Sequence, residues 1–320
     1  MIRDEQIDAA VAALRRGGLV AFPTETVYGL GCDATNNDAL ARLYATKRRP
    51  TSHPVIVHLP DTGDLVEWGR DLDDAAVTLA RECWPGPLTL VVRRSARVPD
   101  AVTGGRDTVG LRVPDQPVAN ALLRAFGAGI AAPSANRFGR VSPTTADDVR
   151  ADLGSEVDVV LDGGPCTVGV ESTIVDTTTS PAAILRVGAI SEGRIAELLG
   201  GRVDVRTAGE IAAPGTLSRH YSPCARVILV DAGAVGAHAA GRLAAGDRVG
   251  LLAPEPVPRD LPAGLVVLDP PMDAAQYAHV LYARLRAADR LGLDVLLVVP
   301  PAAEGIGAAV ADRLQRASTP

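Results

Sequence analysis

Lysine is almost missing from this 320-residue chain. Of its 32 lysine and arginine side chains, only Lys47 is a lysine, which leaves 31 arginines. An ammonium is a compact point charge and a guanidinium a planar fork, so the single retained ammonium suggests a specific contact, such as one with a phosphate oxygen. Chance retention of one lysine is the alternative explanation.

Aromatic side chains, paired cysteines and long apolar runs are also scarce. Aromatics make up 3% of the residues, so the core must be built from Ala, Val, Leu and Ile. The four cysteines form no C-x-x-C pair, which predicts thiols in a reducing cytoplasm rather than a metal site or a disulfide framework. No run approaches the ~18 apolar residues of a membrane span, and the N-terminus predicts an amphipathic helix instead of a signal peptide.

Several familiar site patterns are absent as well. The chain has no G-x-x-x-x-G-K-[ST] loop and no H-E-x-x-H pair, and Gly305-Ile306-Gly307 is too short to predict a dinucleotide loop. The formal net charge is -6. This charge argues against a protein whose main task is to coat nucleic acid, although a local basic patch is compatible with it.

The length suits two domains. Residues 1–200 show short strands, many in hairpin order, with helices between them, which predicts a mixed α/β (α+β) domain. Residues 201–225 show no sustained period and predict a linker or functional loop. Residues 226–320 alternate strands with helices and predict a smaller, Rossmann-like parallel α/β domain.

The stretch from Phe22 to His58 is the most informative. A buried strand over residues 19–22 is followed by a predicted loop over residues 23–31, rich in hydroxyl groups and glycine. Asn37 is then the predicted N-cap of a helix. Four residues at helical spacing share its inward face: Leu40, Leu43, Tyr44 and Lys47. Lys47 is therefore expected to point into the protein.

Cations and hydroxyl groups recur at strand ends and in loops. The cations are Lys47, Arg49, Arg112, Arg137, Arg140 and Arg186. The hydroxyl groups are those of Thr24, Ser134, Ser142 and Ser172. Any one arginine could be a solvated surface residue, but Arg112 has apolar strand neighbours. Convergence of these groups predicts a polyphosphate site without a P-loop.

Several long motifs occur in a fixed order: PTETVYGLG, K-x-R-P, PGPLTLVV, GLRVP, PSAN followed by VSPT, and DGGPCTVGVESTIVD. Together they resemble the YrdC-like domain of the L-threonylcarbamoyladenylate synthase family, over residues 5–200. With the RHYSP segment and a C-terminal α/β domain, the chain is similar to the longer, two-domain form. The resemblance implies a twisted mixed sheet with flanking helices, followed by the smaller domain.

The resemblance also implies an activity. Members of this family condense L-threonine, bicarbonate and ATP into threonylcarbamoyl-AMP and pyrophosphate. A partner transferase then uses the adenylate to make N6-threonylcarbamoyladenosine in tRNA, so tRNA is only an indirect partner. A Mg²⁺ is expected on the phosphates, held by substrate and water rather than by protein side chains.

Matching the motifs residue by residue assigns a site. The residues that fall where the family holds threonine are Thr24, His58, Arg112, Ala132 and Ser172. Those implied for ATP are Lys47, Thr51, Thr108, Ser134, Asn136, Ser142, Arg186 and Tyr221. Lys47, Arg49 and Arg112 are the candidates for catalysis. They would act by alignment and charge neutralisation, since no His–Asp or Cys–His dyad is evident.

The chain departs from the family pattern at a few positions. Thr216-Leu217-Ser218 stands where the family's linker often carries Met-Lys-Tyr. Phe138, Arg140, Cys32 and His53 are atypical as well. Two alternatives are an RNA-binding or ribosome-associated module that binds double-stranded RNA, and a carbamoyl-transfer maturation factor. The second needs zinc-finger-like regions for which this chain lacks the cysteines.

Overall fold

The computed structural model describes residues 3–206 and 221–319. These residues form two compact units. The first comprises residues 3–138, 142–167 and 171–206, and the second comprises residues 139–141, 168–170 and 221–319. Most of the predicted linker, including Thr216-Leu217-Ser218 and His220, lies outside the described residues.

Eleven α-helices occur in the described ranges. They are α1 (Asp4–Arg15), α2 (Asn37–Lys47), α3 (Leu65–Trp68), α4 (Asp74–Cys83), α5 (Asp100–Thr103), α6 (Pro117–Phe126), α7 (Ala146–Leu153), α8 (Glu192–Leu198), α9 (Val235–Ala244), α10 (Ala274–Arg290) and α11 (Ile306–Ser318). Side chains of the residues before the helices cap several of them, such as Thr145 on α7 and Ser191 on α8. Asn36 caps α2, one residue before the predicted cap Asn37. None of the described helices is long and apolar enough to cross a membrane.

Fifteen strands are present in the same ranges. They are β1 (Val20–Phe22), β2 (Gly29–Asp33), β3 (Ile56–His58), β4 (Gly69–Arg70), β5 (Leu88–Arg94), β6 (Thr108–Arg112), β7 (Ile130–Ala131), β8 (Val159–Val160), β9 (Thr173–Asp176), β10 (Ala183–Arg186), β11 (Asp204–Val205), β12 (Arg226–Leu229), β13 (Val249–Leu252), β14 (Val266–Val267) and β15 (Val295–Val298).

An eleven-stranded mixed sheet organises the first unit. Its order is β11-β10-β9-β5-β6-β3-β7-β2-β1-β8, and β4 pairs with β5. Alternate residues of its strands, such as Val57 and Leu111, join the main apolar core on one face. Because side chains alternate along a strand, the next residues, His58 and Arg112, are directed to the opposite face. The predicted mixed α/β fold is confirmed.

The second unit contains four parallel strands in the order β12-β15-β13-β14. Its apolar cluster includes Val249 and Leu251 of β13 and Val295 and Leu297 of β15, with Val235 of α9 packed against them. Helices α10 and α11 also bury apolar side chains. The predicted small parallel α/β arrangement is therefore confirmed.

One predicted loop is in fact partly a strand. Gly29–Asp33 forms β2, which pairs antiparallel with β1, whereas the sequence predicts a loop through Gly31. The glycines reflect packing rather than a turn. A Cβ at Gly31 would lie 2.6 Å from Ile130 Cγ2 and 2.7 Å from Phe22 Cε1. Glycine is needed here because the Phe22 ring lies directly over the strand.

Candidate active site

Four of the predicted site residues lie at one edge of the first sheet. His58 and Arg112 are the last residues of β3 and β6 and are paired in register. Arg186 ends β10, and Ser172 directly precedes β9. Strand β9 runs antiparallel to β6, since β5 pairs antiparallel with β6 and parallel with β9. The carboxyl ends of β3, β6 and β10 therefore meet the start of β9.

Arg112 is one of two buried arginines at this edge, each with 4% of its surface exposed, the other being Arg186. The Arg112 Nε donates to the Gly86 carbonyl at 3.2 Å, and its Nη1 donates to Thr26 Oγ1 at 3.0 Å. Nη2 lies 2.7 Å from a carboxylate oxygen of Glu25. A guanidinium held on two sides keeps a fixed direction, which suits bidentate binding of a carboxylate.

The loop that carries Thr24 is locked by its own hydroxyl groups. Thr24 Oγ1 donates to the Val27 carbonyl at 2.6 Å and lies 2.7 Å from Thr26 Oγ1. Since Thr24 has a single hydroxyl proton, Thr26 donates to Thr24 and itself accepts from Arg112. The series of hydrogen bonds connects Arg112 to the loop backbone.

His58 is neutral at physiological pH. Burial, and secondarily the charge of Arg112, lowers the pKa of its imidazole to about 3. Its ring packs edge-on against Phe22, with 5.9 Å between the ring centroids. Within the described ranges its Nδ1 has no hydrogen-bond partner. A neutral imidazole of this kind accepts a hydrogen bond from a hydroxyl group without adding charge.

Ser172 joins the predicted threonine residues to those predicted for ATP. Arg186 donates from Nε to the Ser172 carbonyl and from Nη2 to Ser172 Oγ, both at 3.0 Å. Thr89 Oγ1 lies 2.8 Å from the same Ser172 Oγ. Thr89 was not predicted, because its side chain is ordinary for a strand and carries no local signal.

Lys47 ends α2 and points inward, as the helical spacing predicts. Leu40, Leu43 and Tyr44 of the same face are buried with it. Its Nζ donates to the carbonyls of Ser134 and Asn136, the latter at 2.5 Å. Burial, assisted by the charges of Arg49 and Arg137, holds the pKa of the ammonium well below its ordinary value. A nearby anion would reverse part of this shift.

A single segment connects the two groups of residues. The Ala132 amide donates to the Ile56 carbonyl of β3 at 2.9 Å. Two residues later, the Ser134 carbonyl accepts from Lys47. Two residues span at most about 7 Å of chain. The backbone position that bonds to β3 and the carbonyl that bonds to Lys47 are therefore close together.

The remaining predicted site residues of the first unit differ in burial and in hydrogen-bond partners. Arg49 is buried, and its guanidinium donates to the Pro54 carbonyl at 2.9 Å and stacks over Phe138. Thr51 is exposed, and Thr108 is half-buried at the start of β6. Ser142 Oγ donates to Glu171 at 2.8 Å, which puts a buried carboxylate beside a position predicted to bind ATP.

Two of the predicted cations have protein partners of their own. Arg137 donates to the Thr46 carbonyl and forms an ion pair with Glu156. Arg140 belongs to the second unit, where its guanidinium lies 2.8 Å from Cys224 Sγ and 3.8 Å from Asp289. These partners weaken the expectation that all six cations serve one ligand.

Tyr221, the predicted ATP residue of the linker, also lies in the second unit. It is 1% exposed and stacks on Tyr282, with 5.6 Å between the ring centroids. The guanidinium of Arg313 lies over the same ring, 5.2 Å from its centroid. The ring is thus held between an aromatic and a cationic side chain.

In the ranges that the structure describes, no group of three or more His, Cys, Asp or Glu side chains is arranged to hold a metal ion.

Glu25 is the principal residue that the sequence analysis missed. It is 6% exposed and forms the ion pair with Arg112 described above. These residues are far apart in the chain, so no periodicity relates them. The only available signal was a carboxylate between two threonines, in a loop otherwise suited to anions.

The chain has a mixed α/β sheet with buried arginines and hydroxyl groups at one edge and a buried ammonium on α2, a combination of groups suited to small anionic ligands. Comparison with known families is more specific. Residues 12–188 match the family described as telomere recombination, and residues 190–319 match the one described as threonylcarbamoyl-AMP synthase, C-terminal domain. The chain belongs to the threonylcarbamoyl-AMP synthase family.

Relatives match over nearly the whole chain. Threonylcarbamoyl-AMP synthase of Pyrococcus abyssi is 36% identical over 328 residues, covering 99% of this chain and 95% of the relative. The Bacillus subtilis protein of the same name is 36% identical over 335 residues, covering 98% and 93%. The crystal structure of P. abyssi Sua5 complexed with L-threonine has a TM-score of 0.92 at 36% identity, covering 99% of this chain and 95% of that one.

Proposed function

We propose that this protein is a nucleotidyltransferase that forms threonylcarbamoyl-AMP and pyrophosphate from L-threonine, bicarbonate and ATP. The near-complete match to relatives that carry this activity in their name supports the proposal. The observation that carries it is that two sets of side chains are attached to backbone positions two residues apart. One is the Arg112, His58 and Ser172 edge, and the other is the Lys47 ammonium on the 132–136 segment.

Threonine binding is assigned to the strand edge. Its carboxylate pairs with the fixed Arg112 guanidinium, in the bidentate manner that a planar fork favours. Its hydroxyl donates to neutral His58. The hydroxyl loop at Thr24 and the Ser172 region close the sides, and Ala132 forms the small wall that the motif match implies.

ATP binding is assigned to Lys47, Ser134, Asn136, Ser142 and Arg186, with Thr51, Thr108 and Tyr221 as further contacts from the family motif. Burial makes the Lys47 charge costly without a counter-ion. The triphosphate would offset that cost. Mg²⁺ would arrive on the phosphates as part of the substrate, and Arg49 supports the neighbouring backbone.

The reaction proceeds in two steps. The threonine ammonium first releases a proton to solvent. The free amine then forms a bond to the bicarbonate carbon, the C–OH bond of bicarbonate breaks, and that hydroxide leaves with one amine proton as water to give the carbamate. A carbamate oxygen then forms a bond to the α-phosphorus of ATP, and the bond to pyrophosphate breaks. Alignment of the two substrates and neutralisation of phosphate charge supply the rate enhancement.

The product is a mixed anhydride that water hydrolyses. We therefore expect a transferase to consume it promptly for N6-threonylcarbamoyladenosine formation in tRNA. We assign the reaction to the cytoplasm, where ATP and free threonine are available.

Pyrophosphate release tests the proposal. It should require ATP, threonine and bicarbonate together, and omission of either co-substrate should abolish it. Pyrophosphate formed at an equal rate without threonine would contradict the proposal. Tight, salt-dependent binding of double-stranded RNA without ATP turnover would favour the alternative RNA-binding function instead.

A further inference from the structure

Glu25 is a buried carboxylate at the centre of a site otherwise built for anions. We propose that Glu25 binds the α-ammonium group of the amino acid substrate, while Arg112 binds its carboxylate. This inference rests on the proposed function and adds to it the group that distinguishes an amino acid from a simple hydroxy acid.

The geometry of the pair matches an amino acid. Glu25 Oε1 lies 2.7 Å from Arg112 Nη2, and their side chains are 7% and 4% exposed. An α-amino acid carries a carboxylate and an ammonium on one carbon, so its two charges are also adjacent. When the substrate ammonium lies against Glu25 and the substrate carboxylate lies against Arg112, each of the four charges has an opposite neighbour. The buried site then gains no net charge.

Both partners have unused hydrogen-bonding capacity. Neither carboxylate oxygen of Glu25 has a hydrogen-bond partner of good geometry within the described ranges, and the same holds for Arg112 Nη2. Arginine has five N–H donors, of which Nε and one proton of Nη1 are engaged by Gly86 and Thr26. The ion pair therefore leaves room for a ligand that bonds to both members.

Other acceptors at this point are committed or unsuited to a cation. The Thr26 hydroxyl accepts from Arg112, and the Thr24 hydroxyl donates to Val27 and accepts from two backbone amides. His58 Nδ1 is available but belongs to a neutral ring beside a guanidinium. A carboxylate is the stronger partner for an ammonium, which leaves His58 for the substrate hydroxyl.

Calorimetric binding of two ligands tests the assignment. The ligands are L-threonine and 3-hydroxybutyrate, which keeps the carboxylate and hydroxyl but lacks the amine. Glu25→Gln should weaken threonine binding by about tenfold or more, the loss of one charge-assisted hydrogen bond. The same variant should bind 3-hydroxybutyrate as well as or better than wild type, because Arg112 is no longer partly neutralised.

Opposite responses to the two ligands are not expected of a purely structural residue. Equal weakening of both ligands, or unchanged threonine binding, would overturn the assignment. Glu192→Gln, the same change at an exposed glutamate of α8, is the matched control and should bind both ligands like wild type. Thermal unfolding of every variant checks that the fold survives.

Steady-state kinetics separate this inference from the proposed function. Glu25→Gln should raise the KM for threonine and leave the KM for ATP unchanged. If wild type releases pyrophosphate without needing threonine, the proposed function and this inference both fail. If wild type needs threonine and the variant keeps the wild-type KM, this inference alone fails.

A conservative variant addresses folding. Glu25→Asp keeps the charge on a shorter side chain, so its threonine affinity should lie between those of wild type and Glu25→Gln. An aspartate variant that binds threonine more weakly than the glutamine variant would contradict a role based on charge.

Discussion

Lys47 combines burial, a lowered pKa and two backbone carbonyl partners. Two of its three N–H bonds are directed at Ser134 and Asn136, which leaves one for a ligand. Such an ammonium is positioned before any phosphate arrives. Pre-positioned charge is what an enzyme that moves a phosphoryl-containing group requires.

Replacement of this ammonium should affect turnover more than folding. Lys47→Met keeps the apolar stem and removes the charge, and pyrophosphate release should fall about 100-fold or more, the size of effect seen when one preorganised charge-stabilising donor is lost. Arg16→Met, the loss of one charge at an exposed position, is the control. Near-normal turnover of the Lys47 variant would remove Lys47 from the mechanism.

His58 gives the protein a specific sensitivity to acid. Its folded-state pKa is about 3, whereas an unfolded histidine titrates near 6.5. Between these values the unfolded chain binds a proton that the native protein does not, so stability falls as the pH falls. His58→Gln should remove this contribution, giving a difference in slope of about 1.4 kcal/mol per pH unit between pH 6 and 4.

Denaturant unfolding of wild type and variant across this pH range measures the difference. His238→Gln, the same change at an exposed position of α9, is the matched control variant. Parallel curves for His58→Gln and wild type would show that the imidazole is not held neutral.

At the scale of single residues, local periodicity predicted Lys47 well and could not predict Glu25. The direction of Lys47 follows from its position three and four residues after buried side chains of α2. The partner of Glu25 is set by where β6 meets the Thr24 loop. Only the tertiary fold contains that information.

At the scale of elements, the end of α2 carries local strain. Arg48 follows Lys47 with φ 52° and ψ 39°, a left-handed conformation that ordinary side chains rarely adopt. Glycine is the usual residue at such a helix end. The chain therefore accepts a conformational cost directly beside its buried ammonium.

Arg48→Gly should raise the free energy of unfolding by about 0.5–1 kcal/mol. The left-handed penalty of about 1–2 kcal/mol disappears, and the larger entropy of unfolded glycine offsets part of it. Arg48→Ala, which keeps the Cβ, should give no such gain. Urea titration measures both. A destabilised glycine variant would show that the Arg48 side chain makes a compensating contact.

Long helices and strands were predicted from the sequence better than short ones. Helix α2 is present where the helical spacing that starts at Leu40 predicts it, since an eleven-residue helix shows about three turns of periodicity. Helix α3, strand β4 and helix α5 have two to four residues and were not predicted. Strand β11, at Asp204–Val205, pairs with β10 in a region predicted to be irregular.

At the scale of the whole molecule, the second unit buries a residue that the family motif assigns to ATP. Tyr221 is stacked on Tyr282 of α10 and lies under Arg313 of α11. Its position is therefore set by the C-terminal helices. The alternation of strands and helices predicted this unit's architecture, whereas nothing in the pattern predicted that it holds Tyr221.

Two tyrosines of α10 allow a matched test. Tyr277 and Tyr282 are both fully buried. Replacement of either by leucine should destabilise the protein by about 2–4 kcal/mol, a typical cost for a truncated aromatic core residue. Only Tyr282→Leu removes the stack on Tyr221, so only it should raise the KM for ATP, and the KM for threonine should stay unchanged. Equal KM values for ATP in the two variants would separate Tyr221 from nucleotide binding.

The presence of a single lysine makes the protein unusually simple to observe. Uniform incorporation of lysine enriched with ¹⁵N at the ε position would give one side-chain resonance, that of Lys47, with no assignment problem. Its chemical shift across a pH titration would give the protonation state of that amine directly. Addition of ATP would then report, through the same resonance, whether a proton is taken up as the nucleotide binds.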